Sequence, residues 1–479
     1  MTHPSSSAPN NELCFKGARE LSHLIRSHAA SSVEVMSAFI SQIERVNPTV
    51  NAICTFIGVE KALEAAEEAD KHLAAGQPSG PLHGLPHAVK DLVPTAGMRT
   101  TFGSRIYQDF IPDTDALIVE RLKAAGAIII GKTNTPEFGA GSHTFNEVFG
   151  ATLNPYDLTK SCGGSSGGAA VALACGMVPM ADGSDLGGSL RNPASFCNVV
   201  GFRPSPGRVP IYPMTPGSSP LAVEGPMARS VEDVAFLLSV LAGPDGRANG
   251  SIDEPGSVFL DSLERDFRGT RIAWSRDLGR FPVEPDVAAV FEAARPAFVG
   301  LGCEIDECDP DLTGAEDIFL TLRAGAYAKT RSDDLRRHRD LIKETVIWNI
   351  ELGMQLSESD FQRAEMCRLE LCQKINSFME QYEFLILPVS QVAPFPIEID
   401  WVREINGIGM ETYIDWMATC WAITVTDLPA ISVPCGFNVN GLPVGLQIVG
   451  RYRREIDVLR LAYAFEQSTR YGSIRPAIA

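Results

Sequence analysis

Three glycine-rich segments hold the side chains best suited to act on an electrophile. They are Lys90 in Gly84–Asp91, the pair Ser165 and Ser166 in Gly163–Gly168, and Ser189 in Gly183–Ala194. A serine hydroxyl attacks a carbonyl only if a base takes its proton. The segment Gly163–Gly168 contains G-x-S-x-G twice, centred on Ser165 or Ser166. In an α/β-hydrolase this would be a strand–serine–helix elbow, with an acid and then a histidine later in the chain. Ala169–Ala174 supplies a good helix former after the pattern, but Asp157–Cys162 before it does not read as a strand. The eight histidines are at 3, 23, 28, 72, 83, 87, 143 and 338, so only His338 follows the serines, within the charged run Arg336–Arg339. A Ser-His-Asp device is therefore disfavoured. Lysine can replace histidine if burial or nearby positive charge brings its pKa down from about 10.4 toward neutrality. Lys90 follows the run Gly84-Leu-Pro-His-Ala-Val89, as in a strand entering a core. Taken alone it would read as a solvated lysine. Gly187-Gly188 ahead of Ser189 could expose consecutive N–H groups to an oxyanion. The plainer alternative for that segment is a tight glycine turn.

A fourth pattern points elsewhere. Gly126–Thr133 satisfies G-x-x-x-x-G-K-[ST], which in nucleotide-binding proteins is a flexible loop curling its N–H groups around phosphates. Here the four intervening residues, Ala127–Ile130, form an apolar run and Asn134-Thr135-Pro136 follows as a turn. A strand and a turn account for it better than a phosphate loop.

The elements that must position these groups follow the rhythm of an α/β protein. Ser31 and Glu34 fit a capping box ahead of Met36, Phe39, Ile40 and Ile43, which recur at helical spacing. A helix is expected over 59–75, another from Asp113 to near Gly126, then a strand at Ala127–Ile130. Further on come a helix near 230–242, a strand near 271–274, a helix near 284–300 and a mostly helical stretch over 314–382. Phe384–Pro388 reads as a buried strand. Ile431–Phe437 and Leu442–Val449 flank Asn440-Gly441 as a hairpin, and a last helix covers about 454–467. No internal repeat and no long linker divides the chain. The expectation is a disordered tail over 1–12 and one large domain over 13–479.

Composition excludes several classes. The 479 residues are 45% apolar and 21% charged, as in an ordinary globular protein. A net charge of −18 repels phosphate backbones, so nucleic acid is not an expected partner. The eleven cysteines are scattered without a C-x-x-C, which leaves no zinc ribbon or thioredoxin motif. Cys175, Cys420 and Cys435 lie in apolar runs, as buried thiols of a reducing compartment do. The first residues have no apolar signal region, and no run reaches the ~18 residues of a membrane span. A cytoplasmic enzyme is expected.

The three segments together resemble the amidase signature family. Gly131–Gly139 and Gly441–Gly450 extend the resemblance, which runs from about residue 20 to 470. The resemblance implies a mixed central β-sheet covered by helices, and a Ser–cis-Ser–Lys catalytic set. Ser189 corresponds to the nucleophile, Ser165 to the bridging serine with a cis peptide bond, and Lys90 to the base. The N–H groups of Leu186, Gly187 and Gly188 correspond to the oxyanion hole, with Asp185 and Arg191 bracing the loop. No metal and no cofactor are implied. The substrate would be a small-molecule amide, with aryl amides, esters and carbamates within reach, and a homodimer is allowed. The alternative is the amidotransferase component that releases ammonia from glutamine within a complex. Cys162 and Thr424–Pro429 depart from the family pattern, which bears on pocket shape. The aromatic residues Phe319, Tyr327, Trp348, Phe395, Trp401, Tyr413, Trp416 and Trp421 are divided between pocket and core. With few charges beyond Asp91, Asp185 and Arg191 near the catalytic segments, a neutral acyl group is expected.

Overall fold

The computed structural model describes residues 11–479. The first ten residues of the expected tail lie outside the described ones, and Asn11–Cys14 form a short helix. Eight strands form a mixed sheet. From edge to edge they are Glu304–Glu307, Arg271–Trp274, Phe384–Pro388, Pro443–Gly450, Ala430–Phe437, Val200–Arg203, Val223–Ala228 and Met180–Asp185. The first three run parallel and every later pairing is antiparallel. Alternation along the strands serves two cores, because successive side chains point to opposite faces. In Phe384–Pro388, Phe384 and Ile386 join the core on one face, and Leu385 and Leu387 the core on the other. This is the single α/β domain with a helix-covered mixed sheet that the resemblance implied.

A second sheet of three strands carries the lysine segment. Ile128–Thr133 lies at its centre, antiparallel to Ile53–Phe56 and parallel to Pro86–Lys90. Pro86–Lys90 abuts the edge strand Met180–Asp185 of the large sheet, where the Lys90 backbone N–H donates to the Asp182 carboxylate at 3.2 and 3.3 Å. The helix Ser32–Val50 packs beneath, opened by the expected capping box of Ser31 and Glu34.

Several bounds differ from expectation for local reasons. The helix expected from Asp113 begins at Leu117 and ends at Ala124. Asp115 is held outside it, accepting from the Ala96 N–H at 2.7 Å and from Lys123 Nζ at 2.9 Å. The helix expected near 284–300 is two, Pro285–Ala293 and Arg295–Gly300. Pro296 has no N–H to continue the ladder. The hairpin turn spans residues 438–442, where Asn438 Oδ1 accepts from the N–H groups of Asn440 and Leu442. The strand expected at Ala127–Ile130 runs on through Thr133. Lys132 is therefore fully buried in a strand, donating to the Val93 carbonyl and to Thr95 Oγ1, and no phosphate loop exists there. Among the described residues no helix is long and apolar enough to cross a membrane.

Candidate active site

Lys90 closes its strand with a side chain that is completely buried. Its Nζ lies 2.9 Å from Ser165 Oγ, 2.8 Å from Ser166 Oγ and 3.0 Å from Ser184 Oγ. An ammonium can give one N–H to each of these three hydroxyls. A neutral amine has only two N–H groups, so one hydroxyl must then donate to the nitrogen lone pair. Burial pulls the Lys90 pKa down to about 7, against the opposing pull of Asp182, Asp185 and Glu224. Near neutral pH this amine is thus poised between donating and accepting.

The serines are placed by glycine-dependent packing. Ser166 precedes the fully buried helix Gly167–Ala174. A Cβ on Gly168 would lie 2.3 Å from the Asn134 nitrogen and 2.6 Å from the Ala52 carbonyl oxygen, so only glycine lets the helix sit this close. The Gly164–Ser165 peptide bond is cis, as the resemblance implied.

Ser189 follows the edge strand Met180–Asp185 in a loop wired from behind by Asp185. That carboxylate accepts from the backbone N–H groups of Gly188 and Leu190 at 2.8 and 3.1 Å. It also accepts from Arg191 Nε and Nη2, both at 3.0 Å, and from Arg203 Nη1 at 3.2 Å. Burial alone would raise the Asp185 pKa, but the two guanidiniums overcome it and hold the carboxyl well below the usual range. Arg191 reaches further, donating to the Cys420 carbonyl at 3.0 Å, Gln447 Oε1 at 2.6 Å and Thr424 Oγ1 at 2.9 Å. Thr424, one of the departures from the family pattern, therefore meets the brace of the serine loop. Gly188 stands at φ +117°, and a Cβ there would come within 2.5 Å of the Cys420 Cβ. The N–H of Gly188 is committed to Asp185. Those of Leu186 and Gly187 take no acceptor among the described residues.

Ser165, Ser189, Leu186 and Gly187 line one cavity of about 160 Å³, walled by Leu92, Phe138, Phe319, Tyr327, Ile414 and Met417. Of the eight aromatic residues divided between pocket and core, Phe319 and Tyr327 face this cavity. Trp416 and Trp421 are buried in the core, although Trp421 stacks on Phe319 at 5.3 Å. Ser189 Oγ makes no hydrogen bond within the described residues, while its carbonyl accepts from the Ser166 N–H at 3.3 Å.

Sequence reasoning missed the groups around the lysine. Ser184 and Asp182 lie at alternate positions on one strand, so both face Lys90. Glu224 stands opposite Ser184 in the neighbouring strand. Asp182 also accepts from His87 Nε2 at 2.9 Å. The period-two pattern of 180–185 was a legible signal for the first two, whereas Glu224 needed the strand register. Arg203 and Arg323 were missed as well. Arg323 also lines the cavity, so the expectation of few charges near the catalytic segments does not hold.

The amidase family model matches residues 34–459. An acylamidase of Rhodococcus erythropolis is 36% identical over 468 residues, covering 97% of this chain and 98% of its own. A glutamyl-tRNA(Gln) amidotransferase subunit of Moorella thermoacetica is 36% identical over 493 residues, covering 98% and 99%. Among solved structures, a bacterial aryl acylamidase of the amidase signature family superposes with a TM-score of 0.90 at 28% identity, covering 96% of this chain and 98% of that one.

Proposed function

The chain belongs to the amidase signature family and hydrolyses amide carbon–nitrogen bonds; we propose that it does so on small carboxamides through an acyl-enzyme on Ser189, with Lys90 as base. The observation that carries this reading is a buried Lys90 amine, brought to about 7, within hydrogen-bond distance of Ser165. Ser165 shares a cavity with Ser189 and with the unoccupied N–H groups of Leu186 and Gly187.

In this reading neutral Lys90 accepts the Ser165 hydroxyl proton as Ser165 accepts that of Ser189. Ser189 Oγ forms its bond to the substrate carbonyl carbon, and the N–H groups of Leu186 and Gly187 hold the oxyanion. Each such donor contributes about 3 kcal/mol to the transition state. The carbon–nitrogen bond then breaks, and the leaving nitrogen receives the proton back from Lys90 through Ser165. Water repeats the sequence on the ester and releases the acid and free Ser189. Gly188 donates to Asp185, so its part is to hold the loop rather than to meet the oxyanion. Asp185 and Arg191 act through that loop. Esters and carbamates present the same carbonyl and are expected to react. Buried thiols such as Cys162, Cys175 and Cys420 support a reducing, cytoplasmic setting.

The test is covalent. A fluorophosphonate should label wild-type protein at Ser189, as read by peptide mass spectrometry, and Ser189→Ala should lose both label and amide turnover while keeping its fold. A label on Ser166 with an active Ser189→Ala variant overturns the assignment. A second reading, a glutamine-hydrolysing component of an amidotransferase, is favoured by the similarity to the Moorella thermoacetica protein. Ammonia release from glutamine that requires partner proteins, with no turnover of simple amides, would establish it instead.

A further inference from the structure

Five arginines are buried among the described residues: Arg191, Arg203, Arg208, Arg323 and Arg368. Four of them meet a carboxylate. Arg191 and Arg203 pair with Asp185, Arg208 with Glu455 and Arg368 with Asp427. Arg323, only 4% exposed, has no carboxylate within ion-pair distance among the described residues. A buried guanidinium cannot shed its charge, since arginine stays protonated at any usable pH. An uncompensated charge away from water is costly, and proteins rarely keep one without use for it.

Its surroundings fix its position without neutralising it. One Nη donates to Asn349 Oδ1, and the carbon at the centre of the guanidinium lies 4.8 Å from the Tyr327 ring centroid and 5.3 Å from that of Tyr413. Asn349 is itself anchored, its amide donating to the Tyr413 hydroxyl at 2.6 Å. Two ring faces offset part of the desolvation. The residue also lines the cavity that holds Ser189 and Ser165. A planar fork of N–H donors, held rigid and short of an anion, matches a carboxylate in a bidentate pair.

We propose that Arg323 is the recognition point for a carboxylate on the substrate, so that the preferred amides are compact amido acids rather than neutral amides. The inference rests on the proposed function, because it takes the Ser189 cavity as the substrate site. It reverses the expectation of a neutral acyl group. The small cavity and the apolar faces of Phe138, Phe319 and Met417 suit a short chain or ring between the scissile carbonyl or nitrogen and the acid.

The experiment uses matched pairs. Glutaric acid monoanilide is set against the anilide of 5-methylhexanoic acid, and N-acetyl-4-aminobenzoate against N-acetyl-4-toluidine, so that the acid is tried on both sides of the bond. In at least one pair the acid should exceed its neutral partner in kcat/KM by about tenfold or more, the scale of a charge-assisted hydrogen bond. Arg323→Gln should reduce that ratio by about tenfold or more, and Arg323→Lys, which keeps the charge without the fork, by less. Neutral partners preferred in both pairs, or equal losses on acid and neutral amides in Arg323→Gln, would overturn the proposal. Calorimetry of the same amides on Ser189→Ala protein separates binding from chemistry. Arg323-dependent preference for the acid, without hydrolysis by wild-type protein, would keep the subsite and defeat the hydrolase mechanism. Hydrolysis without any preference for the acid would do the reverse.

Discussion

Replacing Glu224 by glutamine should move the acid limb of the pH–rate profile to lower pH by only a small fraction of a unit, because burial keeps Glu224 largely protonated there. Glu224 lies directly opposite Ser184 in antiparallel register, and Ser184 Oγ is 3.0 Å from Lys90 Nζ. Opposed residues have Cβ atoms about 5 Å apart, so the carboxylate stands about 6 Å from the amine. At an effective dielectric of about 20, two charges at that separation attract by about 3 kcal/mol, or about two pK units. The full value is not expected, because burial pushes Glu224 itself up to about 8 and leaves it largely protonated near neutrality. With Glu224 at about 8 only about one-tenth of it is ionised at pH 7, so a shift of about 0.2 units is the working figure. Its sign is fixed. The carboxylate stabilises the ammonium, so removing it makes Lys90 easier to deprotonate and takes its pKa below about 7. At pH 6, where Glu224 is almost wholly protonated, kcat/KM should therefore change by less than about twofold. Glutamine is isosteric, so packing between the two strands is retained. The assay is kcat/KM for an anilide from pH 5 to 9, with wild type and Glu224→Gln in the same buffers. A limb that moves down by a full unit or more would refute the view that Glu224 is held protonated beside the base, and one that moves to higher pH would refute the view that its carboxylate opposes deprotonation.

Lys90→Arg should lose turnover by at least about a thousandfold despite conserving charge, because guanidinium cannot accept a proton; near-normal anilide hydrolysis would remove Lys90 from the role of base. Gly188→Ala should lower both activity and thermal stability, since its φ of +117° and the 2.5 Å approach to Cys420 leave no room for a Cβ. A normal melting temperature with normal kcat would contradict that packing. Arg191→Ala leaves Asp185 paired with Arg203 but removes the donor to the Cys420 carbonyl, Gln447 Oε1 and Thr424 Oγ1, and these buried acceptors left unpaired are expected to cost about 2–4 kcal/mol in denaturant unfolding. Its kcat should fall through the displaced serine loop, and a variant equal to wild type in both measurements would mean that the brace is dispensable.

Some of this molecule is legible in one dimension because it depends on neighbours in the chain. The Ser31–Glu34 capping box, the strand Phe384–Pro388 and the two-sided apolar character of its residues are local patterns, and the fold keeps them. Lys90, Ser165 and Ser189 stand out by residue type within glycine-rich segments, and family resemblance orders them. Their roles in sequence rest on that resemblance, whereas their separations are a matter of tertiary structure. The bounds that shifted did so where a local rule met a competing bond, as at Asp115, or where a missing N–H at Pro296 outweighed helical periodicity. What the sequence could not determine is the electrostatic setting. Glu224 reaches Lys90 only through cross-strand register, and Asp185 is gripped by Arg203 only because their two strands flank the same strand, Val223–Ala228. Arg323 comes from the long helix Ala315–His338, far along the chain from Ser189, and its want of a carboxylate is visible only when all its neighbours are in place. Charge–charge energies fall with distance in space and not with separation along the chain. The chemistry available to this protein was therefore written in its residues, whereas the pH at which it works and the substrate it prefers were decided by how those residues pack.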